Sequence, residues 1–144
     1  MGIADRLSQI NSEKAAANLK TGLDFLAANK TKEGITELAS GLQYEVLVLG
    51  DGPKPSATNE VTCHYHGTMI DGSVFDSSVQ RGSPASFPLN RVISGWTEGL
   101  QLMPTGSKWR FYIPSHLAYG DRQISAQIGA NSTLIFEVEL ISFR

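Results

Sequence analysis

The sequence predicts an α+β fold: an N-terminal helix, then an antiparallel β-sheet with one short helix laid against a face of it. Two observations carry this. Apolar residues recur at helical spacing up to about residue 30 and at period two from about residue 41. Beyond residue 40 only one brief helical pattern interrupts the strands, Val92, Ile93, Trp96 and Leu100 around Gly95 and Gly99. The chain therefore divides into an N-terminal helical segment, 1–40, and a sheet domain, 41–144.

Residues 12–30 are rich in Ala, Leu, Lys and Asn, and read as helix material. Ala16, Leu19, Leu23 and Leu26 follow at spacings of three, four and three, a narrow apolar seam of about two heptads. Asn11 or Ser12 can cap its start, and Gly34 lies just past its end. Ile3, Leu7 and Ile10 fit a helical period on another face, so a break or bend is expected near Asn11. Such a seam serves either a helix folded back on its own domain or one paired with a second copy. Two heptads containing alanine are marginal alone, and a monomer or weak homodimer is expected.

Leu42, Tyr44, Val46 and Val48 alternate with Gln43 and Glu45, a strand ended by Asp51-Gly52-Pro53. Val61–Ile70 is a second strand, with Val61, Cys63, Tyr65 and Gly67 on one face and Thr62, His64, His66 and Thr68 on the other. Asp71-Gly72 is a hairpin signal. Trp109–Ile113 and Leu134–Phe143 complete the set, the latter alternating Leu134, Phe136, Val138 and Leu140 with Glu137 and Glu139.

A formal net charge of −2 with no Lys/Arg run argues against a nucleic-acid partner. No stretch approaches the roughly 20 apolar residues of a membrane span, and no basic-then-apolar leader opens the chain, so a cytoplasmic protein is expected. The single cysteine, Cys63, rules out an internal disulfide. No phosphate-binding glycine loop, dinucleotide motif, zinc-protease helix or nucleophile elbow occurs. His64 and His66 share a face but supply only two ligands, and His116 is far along the chain. They read as solvent-facing strand residues rather than a metal centre. Asp76 reads as a turn aspartate. Tyr65, Phe75, Phe87, Trp96, Tyr119 and Phe136 lie beside turn signals, and periodicity does not distinguish a lined pocket from a filled core.

Five segments in order resemble the FKBP family of peptidyl-prolyl cis/trans isomerases. Val61–Ser78 reads VTCHYHGTMIDGSVFDSS, similar to the family's strand, D-G turn and F-D-S-S. Phe87–Leu100 (FPLNRVISGWTEGL), Leu102–Lys108 (LMPTGSK), Ile113–Gly120 (IPSHLAYG) and Thr133–Leu140 (TLIFEVEL) resemble the segments that follow. The preceding helix resembles that of a bacterial branch including macrophage infectivity potentiator and related cytoplasmic proteins, whose longer helical arm dimerises.

The resemblance implies a sheet wrapped around one short helix, with a shallow apolar pocket between them. Trp96 would form its floor and Tyr65, Phe75, Phe87, Val92 and Phe136 its walls. The Ile93 amide and the Tyr119 hydroxyl would hold substrate carbonyls, Asp76 would sit at the rim, and Ile128 would overhang. Partners would be proline-containing polypeptides and the family's macrolide inhibitors, with no cofactor and no metal. The family's I-P-P turn after Tyr119-Gly120 is replaced by DRQISAQIGA, and losing both prolines should loosen that loop.

Overall fold

A computed structural model describes residues 3–144. Helix α1 (Ile3–Asn29) is followed by strands β1 (Ile35–Glu37), β2 (Gln43–Val48), β3 (Glu60–Thr68) and β4 (Val74–Ser77). Then come a short helix α2 (Ser78–Arg81), strand β5 (Ala85–Pro88), helix α3 (Ser94–Leu100), and strands β6 (Lys108–Ile113) and β7 (Leu134–Phe143). The strands form one antiparallel sheet in the order β1-β2-β6-β7-β3-β4, with β5 also paired to β3.

The period-two pattern decides which sheet face is covered. Val61, Cys63, Tyr65 and Gly67 of β3, and Leu134, Phe136, Val138 and Leu140 of β7, are buried on one face. Helix α3 presses on that same face. A Cβ at Gly95 would come within 2.7 Å of Ile113, and one at Gly99 within 2.5 Å of Phe111. Glycine at these turns is what lets the helix backbone approach the sheet so closely. Leu89, Leu100, Met103, Phe111 and Ile113 fill the space between.

Helix α1 runs unbroken through Asn11, which corrects the expected bend. Asn11 and Ser12 are mediocre helix formers, but each costs only a few tenths of a kcal/mol among strong ones. The side chain of Leu7, assigned above to a separate face, lies outside the described residues. The helix folds back on its own domain, but not through the seam. Its packed stripe is Ala15, Asn18, Gly22, Phe25, Leu26 and Asn29, of which only Leu26 belongs to the seam. Asn18 Nδ2 donates to the Ala130 carbonyl (2.9 Å), and Asn131 Nδ2 to the Ala15 carbonyl (3.2 Å). Phe25 packs on Tyr112 with ring centroids 6.0 Å apart. Leu19 and Leu23 remain exposed.

This docking buries Gln43, which alternation alone placed on the polar side of β2. Asn29 Nδ2 donates to Gln43 Oε1 (2.8 Å), while Gln43 Nε2 donates to the Leu26 carbonyl and to Glu37 (both 2.9 Å). A buried amide with all these bonds is tolerated where an unpaired one is not. Strand β1, three residues long and absent from the sequence reading, lies before residue 40 yet pairs with β2. Strands β4 and β5 and helix α2 were also not anticipated. No helix among the described residues is long and apolar enough to cross a membrane.

Candidate active site

The buried face of β3 points Tyr65 toward α3, and three neighbours complete a box around the indole of Trp96. Ring centroids of Tyr65, Phe87 and Phe136 lie 5.5, 5.6 and 5.3 Å from Trp96, each nearly perpendicular to it. Edge-to-face packing sets positive ring edges against negative faces, which stabilises the box beyond its area burial. Above it opens a cavity of about 280 Å³ lined by Tyr65, Asp76, Phe87, Arg91, Val92, Ile93, Trp96, Tyr119 and Phe136. Trp96 is 4% exposed, while Tyr119 beside it is 36% exposed. Ile93 caps the start of α3, and no hydrogen bond among the described residues uses its N–H.

Of the ten residues assigned to the site, eight line this cavity. Phe75 and Ile128 do not. Phe75 is the extra residue of a bulge between β3 and β4, and packs edge-to-face on Phe136 at 5.3 Å rather than onto the cavity. Ile128, expected to overhang, is 6% exposed within the core. Its loop folds back on itself, with Ile124 N–H donating to the Ile128 carbonyl (2.9 Å) and Ile128 N–H to Ser125 Oγ (3.0 Å). Gln127 Nε2 also donates to the Val74 carbonyl (3.0 Å). Side-chain bonds tie a loop that lacks the prolines.

At the rim Tyr65, Asp76 and Arg81 form a closed triangle. Tyr65 Oη donates to Asp76 Oδ2 (2.7 Å), and Arg81 donates to Tyr65 Oη through Nη2 (2.8 Å) and to Asp76 Oδ1 through Nη1. The guanidinium carbon stands 5.6 Å from the Tyr65 ring centroid. Partial burial works to raise the Asp76 carboxyl, but the bonds from Tyr65 and Arg81 outweigh it and hold it below the ordinary carboxylate range. Burial, then the bond to Asp76, pushes the Tyr65 phenol up. At neutral pH this is a carboxylate facing a neutral phenol and a guanidinium, with no proton poised to move.

Arg81 and Arg91 were missed by the sequence reading. Arg81 closes the short helix α2, whose N-cap is Ser77, so its return to Asp76 five residues earlier depends on a helix too short to show periodicity. Its only signal was a basic residue soon after F-D-S-S.

Other groups are committed elsewhere. His64 and His66 bond through Nδ1 to Ser78 Oγ and Ser77 Oγ (both 2.9 Å), whereas His116 Nε2 donates to the Ser40 carbonyl (2.7 Å). The three histidines do not meet, and among the described residues no three His, Cys, Asp or Glu side chains are placed to hold a metal ion. Burial pushes the Cys63 thiol up to about 12, far from a reactive thiolate. A larger groove, about 1170 Å³, lies between α1 and residues 121–132. Its lining is mostly Asn, Gln, Ser and charged residues without an aromatic floor, so the box around Trp96 is the candidate site.

Comparison with known proteins agrees with this geometry. Residues 52–141 match the family described as FKBP-type peptidyl-prolyl cis-trans isomerase, and residues 2–46 match the domain amino-terminal to such isomerases. The chain is 53% identical over 141 residues to the FKBP-type peptidyl-prolyl cis-trans isomerase FkpA of Aeromonas hydrophila, covering 97% of this chain and 52% of that protein. It is 50% identical over 142 residues to the outer membrane protein MIP of Legionella longbeachae, covering 99% and 60%. The crystal structure of FkpA from Escherichia coli superposes with a TM-score of 0.91 at 39% identity, covering 95% of this chain and 64% of that one. The chain thus spans between half and two thirds of the length of these relatives. The match of residues 52–141 to the family model, with relatives about 50% identical over nearly the whole chain, places the chain in the FKBP-type peptidyl-prolyl cis-trans isomerase family, in the branch that carries an amino-terminal domain.

Proposed function

We propose that the chain accelerates cis/trans rotation about Xaa-Pro bonds, by non-covalent stabilisation of the twisted amide in the cavity over Trp96. The observation that carries this is an apolar aromatic box open beside Tyr119, with two donors at its edge, Ile93 N–H and Tyr119 Oη, that no hydrogen bond among the described residues uses. Resonance gives the amide C–N bond a rotational barrier of about 18–20 kcal/mol, and Xaa-Pro bonds isomerise in tens of seconds or more. In the planar amide the carbonyl oxygen carries extra negative charge and is well solvated by water. Twisting breaks the resonance, lowers that charge and lets the nitrogen become pyramidal. A water-poor cavity disfavours the planar form more than the twisted one, and only that difference lowers the barrier.

The proline ring would rest on the Trp96 face between Tyr65, Phe87, Val92 and Phe136. Ile93 N–H and Tyr119 Oη would hold carbonyls on either side of the rotating bond, and Asp76, fixed by Tyr65 and Arg81, would set the field at the rim. No nucleophile, metal or cofactor enters. A protease-coupled assay on short Xaa-Pro peptides tests this, with Tyr119→Phe and Asp76→Ala beside the parent chain. Rates above the uncatalysed isomerisation, lowered in both variants, are expected. A parent rate equal to buffer would overturn the reading and favour a binding module that grips unfolded chains without catalysis.

The partners that fit are proline-containing polypeptides and, through the same box, macrolides of the kind that bind the family. Residues 1–40 read as an arm and 41–144 as the isomerase domain. The exposed seam of Leu19 and Leu23 supports a weak homodimer through that arm, which gel filtration across a concentration series would test. A chaperone role would draw on the same arm. A cytoplasmic placement belongs to the same proposal, and cell fractionation tests it.

A further inference from the structure

Two charged residues line the cavity, Asp76 and Arg91. Their situations differ. The Asp76 carboxylate accepts hydrogen bonds from Arg81 and Tyr65, and its charge is matched by the guanidinium. Arg91 is exposed, and no ion pair or side-chain hydrogen bond among the described residues engages it. The remaining lining is aromatic, aliphatic or uncharged. Among the described residues, the mouth of the site therefore carries one unmatched positive charge.

The backbone bearing that charge is held. Arg91 ends a single helical turn, Leu89–Arg91, that leads through Val92 to Ile93. Leu89 is fully buried, its N–H donates to the Asn59 carbonyl (2.9 Å), and its carbonyl accepts from Thr97 Oγ1 (2.7 Å). A side chain on an anchored turn, two residues before the amide offered to the substrate, stays within reach of whatever flanks the bound proline. A charge at the edge of a low-dielectric cavity also acts on a bound ligand more strongly than one surrounded by water.

We infer that Arg91 is a specificity-determining residue, which biases the site toward client segments with an acidic side chain adjacent to proline and against those with a basic one. The inference rests on the isomerase reading and adds a substrate preference to it. Arg91 touches no atom of the rotating bond in this account; it selects among sequences.

The test uses the whole chain and N-acetylated Ala-Xaa-Pro-Phe and Ala-Leu-Pro-Xaa peptides in which Xaa is Leu, Glu or Lys. For each variant, kcat/KM for the Glu and Lys peptides is normalised to the Leu peptide, so a general loss of activity or folding cancels. For an exposed charge, Arg91→Gln is expected to lower the Glu-to-Lys ratio by about two- to fivefold at one or both flanks. Arg91→Glu should lower it further, Arg91→Lys should restore it, and 1 M NaCl should shrink the parent's preference. A ratio that is the same in the parent, Arg91→Gln and Arg91→Glu at both flanks overturns the inference while leaving the isomerase reading intact. No acceleration of any peptide by the parent would instead remove the reading beneath it.

Discussion

Replacing Gly22 with alanine should weaken the arm's hold on the domain, although alanine is the better helix former. A Cβ at Gly22 would lie 2.3 Å from Thr133 Oγ1 and 3.2 Å from Thr133 Cβ, and Thr133 is itself buried. In an exposed helix the change would stabilise by about 1 kcal/mol. Here the helix must lift away, and two bonds of the docked face on the N-terminal side of Gly22, Asn18 to Ala130 and Asn131 to Ala15, stretch with it. At about 1 kcal/mol each their loss exceeds the propensity gain, for a net destabilisation of about 1 kcal/mol. In a chain of this size that lowers Tm by about 2–4 °C. Thr133→Ala removes the oxygen and leaves only the 3.2 Å approach, so in that background Gly22→Ala should turn neutral or stabilising. Thermal denaturation of the four chains measures the coupling, and hydrogen exchange along residues 12–22 reports whether the arm has lifted. If Gly22→Ala raised Tm equally in both backgrounds, with exchange unchanged, the close approach would not be real and the reasoning would fail.

The activity should be level between pH 5 and 8. The Asp76 carboxyl is held below the ordinary carboxylate range and the Tyr65 phenol above its own, so neither changes charge in that window. Any stability from ionised Asp76 is present above the ordinary carboxylate range and lost as pH falls through its lower folded value. In Arg81→Leu the carboxyl loses its cation and rises, so the acid limb of a pH–rate profile should move toward pH 5. A bell within the window that tracks Asp76 would instead indicate acid–base chemistry. Gly99→Ala would place a Cβ 2.5 Å from Phe111 in the core. Overpacking of about 1–3 kcal/mol against a propensity gain of about 1 should lower Tm by a few degrees, and shift of α3 should lower kcat/KM. Unchanged Tm and kcat/KM would mean the α3–β6 contact has slack.

The sheet was legible wherever one of its faces is covered, because burial on one side leaves an alternating pattern. Residues 134–143 were bounded correctly on that ground, and β3 nearly so. Strands β1, β4 and β5 have three or four residues each, too short for a period to show. Helix α1 was legible as a helix, but its packed side was not. The eye follows Leu19 and Leu23, whereas the docked stripe includes Asn18, Gly22 and Asn29, chosen for close approach and buried bonding partners far along the chain. Gln43 misled for the same reason, since an amide reads as surface until the groups that satisfy it are known. At the site, the aromatic lining came from resemblance, not periodicity. Arg81 depends on a four-residue helix, and Phe75 was displaced by a bulge that no local pattern announced.

The contiguous stretch from β3 through α2 makes physical sense once both faces of β3 are considered. On the covered face Tyr65 reaches Asp76 and Arg81. On the other face His64 and His66 grip Ser78 and Ser77, and Ser78 Oγ also accepts the Tyr65 N–H at 2.8 Å. Ser77 at the same time caps α2 by accepting the Gln80 N–H at 3.2 Å. The segment carrying Asp76 and Arg81 is thus fastened from behind by the residues on either side of the tyrosine it must face. A hairpin sets this register: the Asp71-Gly72 turn, closed by the Met69 N–H donating to the Ser73 carbonyl at 2.9 Å, pairs Gly67 with Asp76 and so sets Asp76 diagonally across from Tyr65. Two strands joined by one turn, and then one short helix, must therefore occur in immediate succession for the triangle to form. That geometric requirement is why the triangle is written in one short stretch, Tyr65–Arg81. The rest of the lining needs only groups brought together by the fold, and is scattered from Phe87 to Phe136.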